Sequence, residues 1–131
     1  MKYSRDKKGN PVSRRAFGCM RLSGDYAKNE RAVMTAIELG VNYFDTAYIY
    51  PGNESMLGEI LSRNGVRDKV SIATKLPHYL IKTAADAERM FTEELKRLKT
   101  DYVDYYLMHM LTDVETWHRL CDLGLDAWLS K

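Results

Sequence analysis

Apolar residues recur at helical spacing in three stretches of the chain, which predicts three amphipathic helices. The three apolar faces consist of Val33, Ala36 and Ile37, of Leu57, Ile60 and Leu61, and of Ala87, Phe91, Leu95 and Leu98. Gly40 follows the first face where a helix would end, and Thr83 with Asp86 has the spacing of a capping box before the third. The tail from residue 113 to 131 also has a helical pattern, with a break near Gly124.

Four short apolar stretches alternate with these helices and predict β-strands. They are residues 15–20, 41–45, 70–75 and 102–110. Pro77 closes the third stretch, since proline cannot donate to a sheet. A polar arm precedes the first strand, and a small hairpin can turn within it at Lys8-Gly9-Asn10.

Strict alternation of strand and helix predicts a parallel sheet with right-handed crossovers. Two α/β architectures fit this order: part of a (βα)8 barrel of the TIM type, or a small doubly wound sheet. A complete barrel takes about 250 residues, so the 131 residues of this chain would supply only the first four units, a half-barrel. We therefore interpret residues 1–131 as one partial domain, with an arm of residues 1–14 before four units in residues 15–131.

Composition and charge exclude several classes of protein. Apolar residues make up 45% of the chain, enough for one core, and the net charge of +2 is too small for a nucleic-acid partner. No apolar run could span a membrane, and the charged start lacks the apolar core of a signal peptide, so we expect a cytoplasmic protein. Cys19 and Cys121 are far apart in sequence, which predicts neither a disulfide scaffold nor a metal site.

Polar residues stand at the carboxyl ends of three predicted strands: Asp45, Lys75 and His109. Tyr50 lies in the loop after Asp45 and can join them. Each has an ordinary structural explanation when taken singly, as a turn cap, a surface lysine, a core histidine or a half-exposed aromatic. In parallel α/β folds, however, sites are built at this edge of the sheet, so together the four residues predict one site.

The four side chains suit the reduction of a carbonyl group. A tyrosine hydroxyl transfers protons readily near neutral pH only when a nearby cation favours its phenolate, and Lys75 could be that cation. Asp45 would pair with Lys75, while His109 would orient a substrate carbonyl beside the Tyr50 hydroxyl. Because the sequence offers no metal cluster and no convincing Cys or Ser nucleophile, the hydride would come from a nicotinamide cofactor.

Four segments carry a resemblance to a known family. They are Phe17-Gly18-Cys19-Met20-Arg21, Phe44-Asp45-Thr46-Ala47-Tyr48-Ile49-Tyr50 with Asn53-Glu54, Ala73-Thr74-Lys75, and Asp101-Tyr102-Val103-Asp104-Tyr105-Tyr106-Leu107-Met108-His109. In their order and spacing the chain resembles the aldo-keto reductases over nearly its whole length. The closest similarity is to bacterial members with an added iron–sulfur domain after the barrel, a domain that we do not expect in these residues.

The resemblance implies a (βα)8 barrel that reduces aldehydes or ketones with NADPH. The family's catalytic tetrad falls on Asp45, Tyr50, Lys75 and His109. Cofactor contacts are implied for Gly18, Cys19 and Met20, and for Asp45 and His109 again. Tyr48 and His78, in two of the same loops, would line the substrate pocket. Cys19 could touch the nicotinamide edge, or it could be a buried, inert thiol.

Two hypotheses about function follow, because the later strands and loops of such a barrel provide most of the cofactor site. The first is an NADPH-dependent reductase of small carbonyl compounds, represented here by a truncated half. The second is a non-catalytic half-barrel that acts by binding a partner or a second copy of itself. A half-barrel leaves its first and fourth strands unpaired, so we expect homodimerisation through these edges.

Overall fold

The computed structural model describes residues 1–22 and 24–130. A hairpin precedes four strand–helix units, so the predicted alternation is confirmed. The strands are β1 (Tyr3–Arg5), β2 (Pro11–Ser13), β3 (Phe17–Gly18), β4 (Tyr43–Asp45), β5 (Ser71–Leu76) and β6 (Tyr105–Met108). The helices are α1 (Tyr26–Glu38), α2 (Asn53–Arg63), α3 (Ala84–Leu98), α4 (Val114–Asp122) and α5 (Leu125–Leu129).

The amino-terminal arm folds back on itself as the predicted hairpin. Strands β1 and β2 pair antiparallel, with Tyr3 opposite Ser13. The Asp6 carboxylate accepts hydrogen bonds from the backbone N–H groups of Lys8 and Asn10, at 2.9 and 2.8 Å. These bonds close the turn, because a carboxylate can satisfy turn N–H groups that the ladder leaves free.

The remaining strands form one parallel sheet whose order, β3-β4-β5-β6, follows the order of the chain. A doubly wound sheet reverses direction at a switch point, whereas a barrel adds each strand beside the previous one. The structure therefore selects the barrel alternative of the two α/β architectures. Asp45 of β4 lies opposite Ala73 of β5, and Lys75 of β5 lies opposite Leu107 of β6.

The first and last strands of this sheet are shorter than the sequence pattern predicts. Arg15 and Ala16 precede β3, and a short 3-10 turn over Cys19–Arg21 ends it. The fourth predicted strand, residues 102–110, begins as a strand only at Tyr105. Side chains of Arg67 and Asp104 take up the hydrogen bonds at its start. The Arg67 guanidinium donates to the Tyr102 carbonyl at 3.0 Å, while the Asp104 carboxylate accepts the N–H of Ile72 at 2.8 Å.

Helix α3 begins with the predicted capping box, in which Thr83 and Asp86 accept from each other's backbone N–H groups. Its predicted apolar stripe is only partly correct. Ala87 and Leu98 are buried, but Phe91 and Leu95 are half-buried, and the acidic residue Glu94 is fully buried. The inner face therefore contains a carboxyl group among apolar side chains.

Helices cover one face of the sheet and enclose two clusters of buried apolar residues. The first lies under α1 and α2 and consists of Cys19, Val33, Ala36, Phe44, Leu57, Ile60, Leu61, Val66, Val70, Ile72 and Leu98. The second lies under α3, α4 and α5 and consists of Leu76, Ile81, Ala87, Met90, Leu120 and Leu125. The opposite face is more open, and Leu107 on it is 38% exposed.

The tail is helical and breaks where the sequence predicts. Gly124 separates α4 from α5 in a left-handed conformation with φ of +80°, which costs glycine little. Asp113 begins α4 as an amino-terminal cap and accepts the Thr116 N–H at 2.6 Å. Across residues 1–22 and 24–130, no helix combines the length and the apolar character that crossing a bilayer requires.

Candidate active site

Asp45 and Lys75 come together at the carboxyl edge of the sheet. Asp45 ends β4, and Lys75 lies near the end of the neighbouring parallel strand β5. The Lys75 Nζ atom donates to Asp45 Oδ1 and to the Thr46 carbonyl, both at 2.6 Å. The pairing expected from the sequence is present, and two acceptors on one strand end fix the ammonium group in place.

Tyr50 and His109 lie beside this ion pair. The Lys75 Nζ atom is 5.4 Å from the centroid of the Tyr50 ring. The His109 ring meets the Tyr50 ring edge-on, with 5.9 Å between centroids and an interplanar angle of 86°. His109 is held through its backbone N–H, which donates to the Leu76 carbonyl at 2.9 Å. The fold thus gathers the four strand-end residues into one site.

His109 is 9% exposed, and its surroundings favour the neutral imidazole. Burial lowers the pKa of His109, and the positive charge of Lys75 lowers it further, against the opposing effect of Asp45. Of the two methionines that flank His109 in the sequence, Met108 packs against the second buried cluster. Met110 is 69% exposed and left-handed, with φ of 58°, so it turns away from the site.

Three of the five residues predicted to contact a cofactor lie at the end of β3 and directly after it. Gly18 and Met20 are exposed, whereas Cys19 between them is fully buried. Burial raises the pKa of the Cys19 thiol to about 12, and the charge of Asp45 acts in the same direction, so this thiol is inert. The side-chain amide of Asn53 donates to the Cys19 carbonyl at 2.6 Å and ties the end of β3 to the start of α2.

The two predicted pocket residues have different surroundings. Tyr48 points towards α3, because its hydroxyl donates to Glu93 Oε2 at 2.7 Å and the Arg97 guanidinium covers its ring at 4.4 Å. Its side chain is therefore held against helix α3, although Tyr48 lines one surface recess together with Tyr50. His78 is buried after β5, and neither of its ring nitrogens has a hydrogen-bond partner among the described residues. It lies near enough to His109 to lower the pKa of that imidazole.

A buried polar cluster on the helix side of β5 was missed by the sequence analysis. Thr74 precedes Lys75 and therefore points to the opposite face of the sheet. Its Oγ1 atom lies 2.7 Å from Glu54 Oε1 and 3.0 Å from Glu94 Oε1. Arg97 donates to Glu54 Oε2 at 3.2 Å. Glu54 and Glu94 are 1% and 0% exposed. Met90, Glu94 and Leu98 are spaced four residues apart, and this spacing was the sequence signal that Glu94 lies on the inner face of α3.

The contacts of Thr74 require one of these two carboxyl groups to carry a proton. The Thr74 hydroxyl has one hydrogen and cannot donate to both carboxyl groups, so one of them must donate to it. Burial raises the pKa of Glu54 as well, but the Arg97 guanidinium opposes that increase, so Glu54 is the better carboxylate of the two. Burial raises the pKa of Glu94 to about 8, and the Glu54 charge contributes to this increase. Glu94 is thus a carboxylic acid at neutral pH.

Among the residues that the structure describes, no three His, Cys, Asp or Glu side chains come together as a group that could hold a metal ion. The site instead consists of a lysine paired with an aspartate, a tyrosine and a neutral histidine at the carboxyl edge of a parallel sheet. This arrangement defines a barrel-type α/β protein with a cluster of titratable side chains at its strand ends.

Comparison with known proteins gives the family. The family model described as "Aldo/keto reductase family" matches residues 16–123. An aldo-keto reductase of Mycobacterium tuberculosis is 41% identical over 96 residues, which are 71% of this chain and 32% of that protein. The chain belongs to the aldo/keto reductase family.

Solved structures agree in fold. The holo form of an aldo-keto reductase from Bacillus halodurans superposes with a TM-score of 0.74 at 30% identity, covering 95% of this chain and 48% of the other. An aldo-keto reductase of Klebsiella pneumoniae in complex with NADPH gives 0.74 at 27% identity, covering 94% and 46%. The chain therefore spans about a third of the length of its curated relatives and about half of these structures.

Proposed function

We propose that this chain supplies the proton-transfer half of an NADPH-dependent reductase of aldehydes or ketones. The observation that carries the proposal is the Lys75 ammonium group, fixed by Asp45 and lying 5.4 Å from the Tyr50 ring centroid, with His109 against the same ring. A cation beside a phenol is the arrangement that lets tyrosine act as a general acid. Family membership supports the same chemistry.

Each of the four residues has a distinct role in this proposal. Tyr50 donates its hydroxyl proton to the carbonyl oxygen of the substrate. Lys75 stabilises the resulting phenolate, and Asp45 keeps the ammonium group in position. His109 remains neutral and donates a hydrogen bond that orients the carbonyl, in agreement with the lowered pKa of its imidazole.

Gly18 at the end of β3 and the residues directly after it suit a nicotinamide cofactor in this proposal. Gly18 is exposed, and a side chain added to it would meet no atom within 4 Å, so the backbone there is open to a flat ring. Met20 offers an exposed apolar side chain nearby. Gly18 and Met20, with the Cys19 backbone and the strand-end pair Asp45 and His109, would hold the nicotinamide. When bound, the cofactor supplies the hydride.

Fluorescence titration with NADPH and the consumption of NADPH with an aldehyde test this function. Tyr50→Phe keeps the ring and removes the acidic hydroxyl, and the loss of a positioned general acid lowers kcat by about 10²- to 10⁴-fold. Tyr79→Phe, at an exposed ring after β5, is the matched control and should keep the parent rate. A Tyr50→Phe variant with a near-parental kcat would exclude Tyr50 as the proton donor.

The second candidate function is self-association, and the sheet edges favour it. Strands β3 and β6 each pair on one side within the described sheet, and Leu107 is 38% exposed on the open face. A second copy could pair its β3 with β6 of the first and complete eight strands, which would bury both edges and both open faces. Light scattering tests this: we expect a dimer or larger assembly, and a stable, folded monomer would refute it.

A further inference from the structure

The loop of residues 46–52, here called the Tyr50 loop, connects β4 to α2. Three of its residues are exposed: Ile49, Pro51 and Gly52. At its start the loop is held by the sheet, where the Thr46 N–H donates to the Ala73 carbonyl at 2.8 Å. Because exposed loop backbone opens easily, the outer part of the loop needs another attachment to hold a side chain in one place.

Helix α3 provides such an attachment through Tyr48, which lies two residues before Tyr50. Arg97 Nη1 donates to the Tyr48 carbonyl at 3.2 Å, and the guanidinium lies 4.4 Å from the centroid of the Tyr48 ring. The Tyr48 hydroxyl donates to Glu93 Oε2 at 2.7 Å. One residue of the loop is therefore held at its backbone, its ring and its hydroxyl by two residues of α3.

Arg97 is itself fixed on its other side. It forms ion pairs with Glu54, at 3.2 Å, and with Glu93 on the preceding turn of α3. Glu94 accepts no hydrogen bond from Arg97 among the described contacts, in keeping with its neutral state. The guanidinium thus spans α2, α3 and the Tyr50 loop, for which a planar group with five donors is better suited than a lysine ammonium group with three.

We propose that Arg97 is a positioning residue for Tyr50: it clamps the Tyr50 loop to helix α3 and so holds the phenol beside Lys75 and His109. The role in catalysis rests on the function proposed above, whereas the clamp itself does not. Displacement of a reacting group by about 1 Å can cost about 10²-fold in rate, so a clamp two residues away matters for the chemistry.

The experiment uses the chain with 3-fluorotyrosine at position 50 only, so that one ¹⁹F signal reports the phenol. Arg97→Met removes the charge and the hydrogen bonds while keeping an unbranched apolar side chain. Arg97→Lys keeps the positive charge but lacks the planar guanidinium with its several N–H donors, so it tests whether charge alone partly restores the clamp. Arg67→Met is the matched control, because Arg67 also donates to two backbone carbonyls and stacks on a tyrosine, Tyr102, at 4.1 Å.

We expect Arg97→Met to move the ¹⁹F signal towards that of solvent-exposed fluorotyrosine and to speed amide exchange in the Tyr50 loop by roughly 10- to 100-fold, the effect of losing hydrogen bonds to a charged group. Arg97→Lys should fall between the parent and Arg97→Met. Arg67→Met should leave the ¹⁹F signal unchanged, since it acts at the opposite end of the strands, even if it lowers global stability.

Several results would overturn the clamp. An unchanged ¹⁹F signal in Arg97→Met would do so, as would an exchange increase in the Tyr50 loop no larger than in Arg67→Met. These readouts need no turnover, so a Tyr50→Phe variant with a near-parental kcat would contradict the proposed function and leave the clamp standing. Where turnover is measured, kcat should fall more than KM changes; a loosened loop with parental kcat would refute the role in catalysis.

Discussion

Replacing Glu94 by glutamine tests whether the buried carboxyl group is neutral. Glutamine has nearly the same shape, has no proton to lose, and can donate its amide hydrogen to Thr74 as the acid does. The groups that face Glu94 are Glu54 from α2, Arg97 from its own helix and Tyr106 from β6, whose hydroxyl lies in the same buried space. All of these remain in the variant.

The magnitude follows from proton linkage. The pKa of Glu94 is about 8 in the folded chain against the ordinary 4.5, so folding takes up a proton between these pH values. The contribution of Glu94 to the free energy of unfolding is therefore complete below pH 4.5. Between pH 4.5 and pH 8 this contribution falls by about 1.4 kcal/mol per pH unit. Between about pH 5 and pH 7, the parent should lose about 2 to 3 kcal/mol of stability through Glu94, a loss that the Glu94→Gln variant avoids.

Urea unfolding of both chains from about pH 5 to pH 9 measures the effect as a difference, in which the titrating groups that lie away from Glu94 and Glu54 cancel. We expect Glu94→Gln to gain stability relative to the parent as pH rises and to reach a constant advantage above pH 8. Glu38→Gln, at an exposed position on α1, controls for replacing a carboxylate with an amide. A pH-independent difference between Glu94→Gln and the parent would refute a raised pKa. Infrared spectroscopy gives an independent check, because the carbonyl band of a protonated carboxyl group should vanish in the variant.

Three further substitutions test the packing and the site. Gly58→Ala should lower stability by about 1 to 3 kcal/mol in urea unfolding, because the Cβ atom of the alanine would lie 2.5 Å from the Arg97 carbonyl oxygen. The control is Ser62→Ala on the exposed face of α2, which should leave stability unchanged. Met110→Gly should be more stable than Met110→Ala by about 1 kcal/mol in the same assay, because φ is 58° at this exposed position; equal stabilities would contradict the strain argument. Lys75→Met should lower the rate of carbonyl reduction about as much as Tyr50→Phe, and an unaffected kcat would argue against the phenolate role.

The order of elements could be predicted from the sequence because it depends on local patterns. The spacing of Leu57, Ile60 and Leu61 gives α2 one apolar face, and Thr83 with Asp86 marks where α3 begins. The positions of Asp45 and Lys75 at strand ends were enough to expect their pairing, since the carboxyl ends of neighbouring parallel strands share one edge.

Only the tertiary structure decided which side chains meet across helix and sheet. Periodicity places Glu94 on the inner face of α3 but does not show that Thr74, twenty residues earlier, approaches its carboxyl group. Tyr48 is a second example, because a side chain in this loop could face either the pocket or the helices. Contacts with Glu93 and Arg97, 45 and 49 residues away, direct the Tyr48 side chain to the helices. Such choices depend on the relative placement of whole elements, because burial and hydrogen bonding act between residues that the sequence keeps far apart.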